Sequence, residues 1–246
     1  MIEIINSMKY KDKIVLVTGA SRGVGLHIVN HFLNNGAIVL GLSKGVSKLT
    51  HERYHHFSLD IGNPESISIC FRKEISKVTK KIDFLINNAA VLTSQYSMIM
   101  PIKNAVEMVN VNLLGVFFVS REAAKMMRNI PYGRIINIGS MASALEPMGD
   151  SIYAATKVGI ITIANVMAKE FSAMNVTCNT VAISAIETDM LNSHTDNAKI
   201  KIKEIIKSMP IPRMAVADDI LNVIDFYASD RSSYITAQMI YIGGIN

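Results

Sequence analysis

The chain has 246 residues, half of them apolar and only 18% charged, which excludes a disordered protein and is enough for one large α/β core. The net charge of +5 is spread along the sequence, apart from Lys199, Lys201, Lys203 and Lys207, and argues against a nucleic-acid surface. Cys70 and Cys178 stand in neither metal nor redox spacing, and no signal-type leader or bilayer-length apolar run is apparent. A cytoplasmic protein in a reducing compartment, with no metal and no membrane partner, is therefore expected.

In chain order, Lys13–Thr18 is an apolar strand followed by a helix through Leu33. Ala37–Leu42 is a second strand, His56–Leu59 a third, and Pro64–Val78 reads as helical. Ile82–Asn87 is a fourth strand, and a long helical stretch runs from about Lys103 to Arg128. Arg134–Ile138 is a fifth strand, Ile152–Met174 a helix, and Val176–Ile183 a sixth strand. Ala217–Ala228 is a helix and Met239–Ile242 a last short strand. Strict alternation with near-continuous apolar strands predicts a single-domain α/β Rossmann-type fold: a doubly wound parallel sheet of about seven strands covered on both faces. The stretch 187–213 interrupts the last unit and is expected to form a lid.

Thr18-Gly19-Ala20-Ser21-Arg22-Gly23-Val24-Gly25 lies where the first strand meets the first helix. Glycines there allow a tight turn and bring backbone amides against a pyrophosphate at a positive helix end. The second strand ends in Gly41-Leu42-Ser43-Lys44 without the acid that would bind the ribose hydroxyls of NAD. Lys44 and Arg22 are candidate ligands for the extra phosphate of NADP(H). Tyr153 and Lys157 are four apart on a helix and share a face, and a nearby ammonium is expected to lower the phenol's pKa. Ser140 ends the fifth strand, where open α/β sheets place ligands and a hydroxyl can polarise a carbonyl.

These motifs, with Asn87-Asn88-Ala89-Ala90 and with Asn112 in Val111-Asn112-Leu-Leu-Gly115, resemble the short-chain dehydrogenase/reductase family in order and spacing from Lys9 to Gly244. The resemblance implies a nicotinamide cofactor held by Gly19, Ser21, Arg22, Gly23, Val24, Gly25, Ser43, Lys44, Asp60, Ile61, Asn88, Ala89, Ala90, Tyr153, Lys157, Ile186 and Thr188. Asp60-Ile61 matches the family's adenine-contacting pair. The resemblance further implies that Tyr153 exchanges the proton, Ser140 assists it, Lys157 binds the nicotinamide ribose, and Asn112 holds a water that relays protons from Lys157. A homotetramer paired through the two long helices is implied as well.

Within the family the sequence is most similar to β-ketoacyl-(acyl carrier protein) reductases, in Ile186–Met190, Ile211–Arg213 and Ser229–Thr236. That similarity implies reduction of a 3-oxoacyl thioester with NADPH. Two departures stand against a simple transfer. The family's Pro-Gly at the end of the sixth strand is Ile183-Ser184 here. The positions expected to dock the acidic carrier protein, Pro131 and Met174, are uncharged. A secondary-alcohol dehydrogenase acting on a sugar or specialised metabolite, and a cofactor-binding regulator without turnover, are the alternatives.

Overall fold

The computed structural model describes residues 9–184, 186, 206–207 and 209–244. Seven strands form one sheet: β1 (Ile14–Thr18), β2 (Ile38–Ser43), β3 (Tyr54–Ser58), β4 (Phe84–Asn87), β5 (Gly133–Ser140), β6 (Val176–Ile183) and β7 (Met239–Tyr241). Their order is β3-β2-β1-β4-β5-β6-β7, and every pairing is parallel. The order reverses between β1 and β4, which opens a crevice above their carboxyl ends.

The strands are apolar on both faces because both faces are covered. On one face, Leu16, Leu40, Leu85, Ile135 and Cys178 pack beneath three helices: α2 (residues 64–78), α3 (residues 102–127) and α5 (Ser151–Glu170). On the other, Val15, Val17, Val39, Ile86, Ile136 and Val181 pack beneath α1 (Gly23–Asn34) and α6 (Ala217–Ala228). A short α4 (Ala142–Leu145) follows β5. The adjacent residues Leu16 and Val17 therefore serve different cores, as alternate Cβ directions require.

Local chemistry sets the boundaries. Asn63 caps α2 by accepting from the amides of Glu65 (3.1 Å) and Ser66 (3.2 Å), with Pro64 at the first helical position. Gly36, with φ +84°, turns the chain from α1 into β2. β3 begins at Tyr54, two residues earlier than the apolar run suggests, because its pairing with β2 starts at Val39 opposite Tyr54. α5 stops at Glu170, and Ser172–Met174 forms a separate 3-10 turn.

One expectation is corrected. The helices 102–127 and Ser151–Glu170 are long and apolar enough, by length and composition alone, to cross a membrane. Interrupting charges such as Glu107, Arg121 and Lys125 hide this in a search for unbroken apolar runs. Both helices pack their inner faces against the sheet. The expected lid at 187–213 lies largely outside the described residues. The chain returns at Met209, which is buried, and Ile186 bridges to Ala215.

Candidate active site

The glycine turn depends on left-handed backbone at Gly19 (φ +68°) and Gly23 (φ +53°). A Cβ on Gly25 would stand 2.1 Å from the Gly19 carbonyl oxygen, so the loop can close over the start of α1 only with hydrogen there. The buried Thr18 hydroxyl accepts from the amides of Asn88 and Ala89, both at 3.0 Å. Asn88 Nδ2 donates back to the Thr18 carbonyl at 3.0 Å. These bonds join the ends of β1 and β4 and leave the first amides of α1 facing the crevice. No carboxylate lies in the first turn of α1. This uncovered positive helix end, in a cradle that a Cβ would fill, suits a pyrophosphate.

The crevice is a cleft of about 680 Å³, a volume in the range of small-ligand sites. Gly19, Ser21, Arg22, Gly23, Val24, Gly25, Ser43, Lys44, Asp60, Ile61, Asn88, Ala89, Ala90, Tyr153, Lys157 and Ile186 all line it. Thr188 lies outside the described residues. Residues not singled out in the sequence also line the cleft, among them Val91, Leu92 and Gly139, and so does Ile183. Ile183, from the segment that departs from the family pattern, thus faces the site. Thr18 was present in the quoted motif, but its clamp across two strands appears only in three dimensions.

Lys44 differs from its sequence reading. It is no free phosphate ligand, because its Nζ sits 3.0 Å from Asp60 Oδ2 and 3.3 Å from Glu107 Oε1. The hydrogen bond to Asp60 raises its pKa, and Glu107 adds to this. Both carboxylates are remote in sequence, so the absence of acid at the end of β2 gave no sign of them. Arg22 is exposed and makes no side-chain hydrogen bond or ion pair among the described residues. Ser43 Oγ donates to the Gly45 carbonyl or shares its proton with His56 Nε2, at 3.0 Å and 2.8 Å.

At the opposite end, the helical spacing brings Tyr153 and Lys157 onto the face of α5 that meets the cleft. Close packing sets the height of α5, since a Cβ on Gly159 would lie 2.7 Å from Leu113 Cδ1 of α3. Lys157 is buried and donates to the Ile138 carbonyl at 2.9 Å, with Nζ 5.7 Å from the centre of the Tyr153 ring. Burial pushes its pKa down to about 8. The Tyr153 phenol stands above its ordinary value, chiefly through burial. A hydrogen bond with the Ser140 hydroxyl pulls the other way, and Asp150 adds to the rise. The expected lowering by Lys157 is therefore not the state of the free protein. Lys157 donates to the Ile138 carbonyl, and its ammonium keeps its charge below about pH 8. Ser140 Oγ also accepts from the Ala142 amide at 3.1 Å, which fixes its rotamer beside the phenol.

Asn112 is fully buried in a π-helical turn, Asn110–Gly115, inside α3. Its Oδ1 accepts from the Val91 amide at 2.8 Å. Its Nδ2 donates to the Val91 carbonyl at 2.8 Å and to Thr156 Oγ1 at 3.3 Å. Both amide protons are thus used within the chain, and one acceptor lone pair remains for a water. The wider turn aims Asn112 at the loop after β4 instead of along the helix.

A reversed strand order, a glycine turn at its switch point, and a tyrosine–lysine pair in the same cleft define an α/β oxidoreductase with a dinucleotide site. Residues 13–199 match the short chain dehydrogenase family, and the chain belongs to that family. It is 33% identical over 247 residues to the 3-oxoacyl-(acyl-carrier-protein) reductase FabG of Aquifex aeolicus, covering 96% of this chain and 98% of that protein. The enzyme of the same name from Escherichia coli strain K12 is 32% identical over 243 residues, at the same coverage. The ligand-free structure of Thermoplasma acidophilum aldohexose dehydrogenase superposes with a TM-score of 0.87 at 27% identity, covering 96% of this chain and 94% of that one. The protein is accordingly an oxidoreductase acting on CH–OH or C=O groups with a nicotinamide cofactor.

Proposed function

We propose that the chain is an NADPH-dependent reductase of a ketone, of the 3-oxoacyl thioester type, with Tyr153 as proton donor. One observation carries this reading: Tyr153 and Lys157 share one face of α5 in the cleft, with Lys157 bonded to the Ile138 carbonyl of β5, the strand that ends in Ser140. The nicotinamide, when bound, supplies the hydride. The chain's residues do the rest. Ser140 and Tyr153 orient the carbonyl oxygen, and the Tyr153 hydroxyl delivers the proton as negative charge develops there. Burial raises the phenol's pKa in the free protein, so proton donation depends on the Lys157 ammonium stabilising the phenolate as it forms. Lys157 holds the ribose and, protonated, compensates the phenolate left behind. Asn112 supports the loop after β4 and offers one lone pair to a water on the path that reprotonates Lys157.

Preference for NADPH rests on Arg22, exposed at the start of α1 and without an ion pair among the described residues. Association as a homotetramer rests on the outer faces of α3 and α5. There Ile102 is 83% exposed, and Val106, Phe117, Val158 and Val166 continue an apolar surface.

A second reading, a secondary-alcohol dehydrogenase acting on a sugar, is favoured by the likeness to an aldohexose dehydrogenase. The uncharged Pro131 and Met174 point the same way, since they offer an acidic carrier protein no charge at those positions, although the exposed Arg128 and Lys169 lie nearby in sequence. A regulator without turnover has only Ile183-Ser184 in its support.

The test is spectrophotometric: oxidation of NADPH and NADH with 3-oxoacyl thioesters, small ketones and keto-sugars. Rapid turnover of a 3-oxoacyl thioester with NADPH is expected. Turnover restricted to sugars selects the second reading, and tight cofactor binding without turnover selects the regulator.

A further inference from the structure

We propose that Glu107 sets how strongly the cleft prefers a 2′-phosphorylated dinucleotide, by holding Lys44 away from the phosphate. This rests on the NADPH reading above. β2 ends in Ser43-Lys44 with no carboxylate beside it in sequence, but the fold brings two to the place. Asp60 arrives from the loop after β3, and Glu107 from the last turn of α3 before its π-helical segment. Lys44 and Asp60 line the cleft, whereas Glu107 stands outside it. Asp60 is anchored, since its Oδ1 accepts from the Gly62 amide at 2.8 Å. Glu107 makes no side-chain bond among the described residues other than that to Lys44. It is therefore the arm of the clamp that can change without disturbing the cleft wall.

Charge decides the effect. Arg22 and Lys44 bring two positive charges to this end, and Asp60 and Glu107 bring two negative ones. An entering phosphate dianion meets a neutral cluster and has to compete with two carboxylates for Lys44. Without the Glu107 charge the cluster becomes net positive, and the Lys44 ammonium is free on that side. The side chains of Lys44 and Asp60 are 54% and 46% exposed, so water and salt screen each term and the effect is modest. NADH carries no 2′-phosphate and gains little.

The experiment measures dissociation constants of NADPH and NADH by fluorescence titration of wild type and Glu107→Gln. The amide keeps the side chain's length and its acceptor oxygen while removing the charge. NADPH is expected to bind about 3- to 10-fold more tightly to the variant, a range set by screened charges at this distance. NADH is expected to change less than about 2-fold, and the gain to shrink as salt rises from about 0.05 to 0.5 M. An NADPH-to-NADH ratio that stays within about 2-fold of wild type overturns the proposal. The same change in a Lys44→Met background should give at most about half the gain, and an undiminished gain there also overturns it. If wild type itself binds NADH more tightly, the NADPH preference fails, yet the shift on Glu107→Gln still tests the clamp.

Discussion

One buried side chain at the base of the cleft pulls against stability for the sake of chemistry. Below about pH 8 the Lys157 ammonium is charged in a buried site, a constant cost to the folded state. Its folded pKa lies below the ordinary 10.5, so the unfolded chain binds the extra proton between pH 8 and 10.5, and stability from this group rises across that window. Lys157→Met should therefore raise stability at pH 7, by roughly 1–3 kcal/mol, while abolishing turnover. A denaturant melt showing a less stable variant would mean that the bond to Ile138 outweighs burial. In the wild type, ketone reduction should decline above about pH 8 as Lys157 loses its proton, measured as kcat against pH. Tyr153→Phe should lower kcat by about 10²–10⁴-fold and leave the NADPH dissociation constant nearly unchanged. Equal turnover by that variant would remove Tyr153 from its role.

The elements carry the site through close approaches that depend on small residues. β1 and β4 are joined by the Thr18 hydroxyl, and α1 starts under the Gly19 carbonyl. Gly25→Ala places a methyl carbon where only 2.1 Å is open to a backbone oxygen, which cannot move without opening the turn. The expected result is loss of NADPH affinity by at least about 10-fold with the sheet intact, read by titration alongside circular dichroism. The outer face of α3 makes a different prediction. Val106 and Phe117 are exposed on a helix long and apolar enough, by length and composition alone, to cross a membrane. If the proposed tetramer forms through this face, Phe117→Glu should split it into smaller species on size-exclusion chromatography with light scattering. An unchanged elution volume would move the interface elsewhere.

Across the whole molecule, distant segments are held by one carboxylate. Asp225 of α6 bonds to Tyr10 ahead of β1, to His31 of α1 and to Lys9. Burial pushes its pKa up, but the bonds from His31, Lys9 and Tyr10 outweigh burial and leave it near 2. This carboxyl is depressed in the folded state. Its contribution is complete above the ordinary 3.8 and is lost as pH falls towards 2. Asp225→Asn should thus destabilise at pH 7 and lose that difference in acid, measured by thermal melts at both pH values. Cofactor binding should stabilise the same cooperative unit. NADPH at about 100 times its dissociation constant adds about 2.7 kcal/mol, or roughly 5–10 °C for a chain of this length.

The order of strands and helices, the glycine turn and the Tyr153/Lys157 pair were all legible in the sequence. They depend on local periodicity and short spacings, which tertiary contacts did not override. Boundaries such as Tyr54 shifted because partner strands set them, and the separation of Leu16 from Val17 into two cores followed from strand geometry alone. What only the tertiary structure decided is the chemistry of groups brought together from afar. Glu107 meets Lys44 across 63 positions, Asn112 spends its amide on Val91, and the phenol rises where a sequence-based argument has it fall. The physical reason is common to all three. Charge and hydrogen bonding act through space and depend on burial, and neither the partner nor the burial is written in the spacing of neighbouring residues.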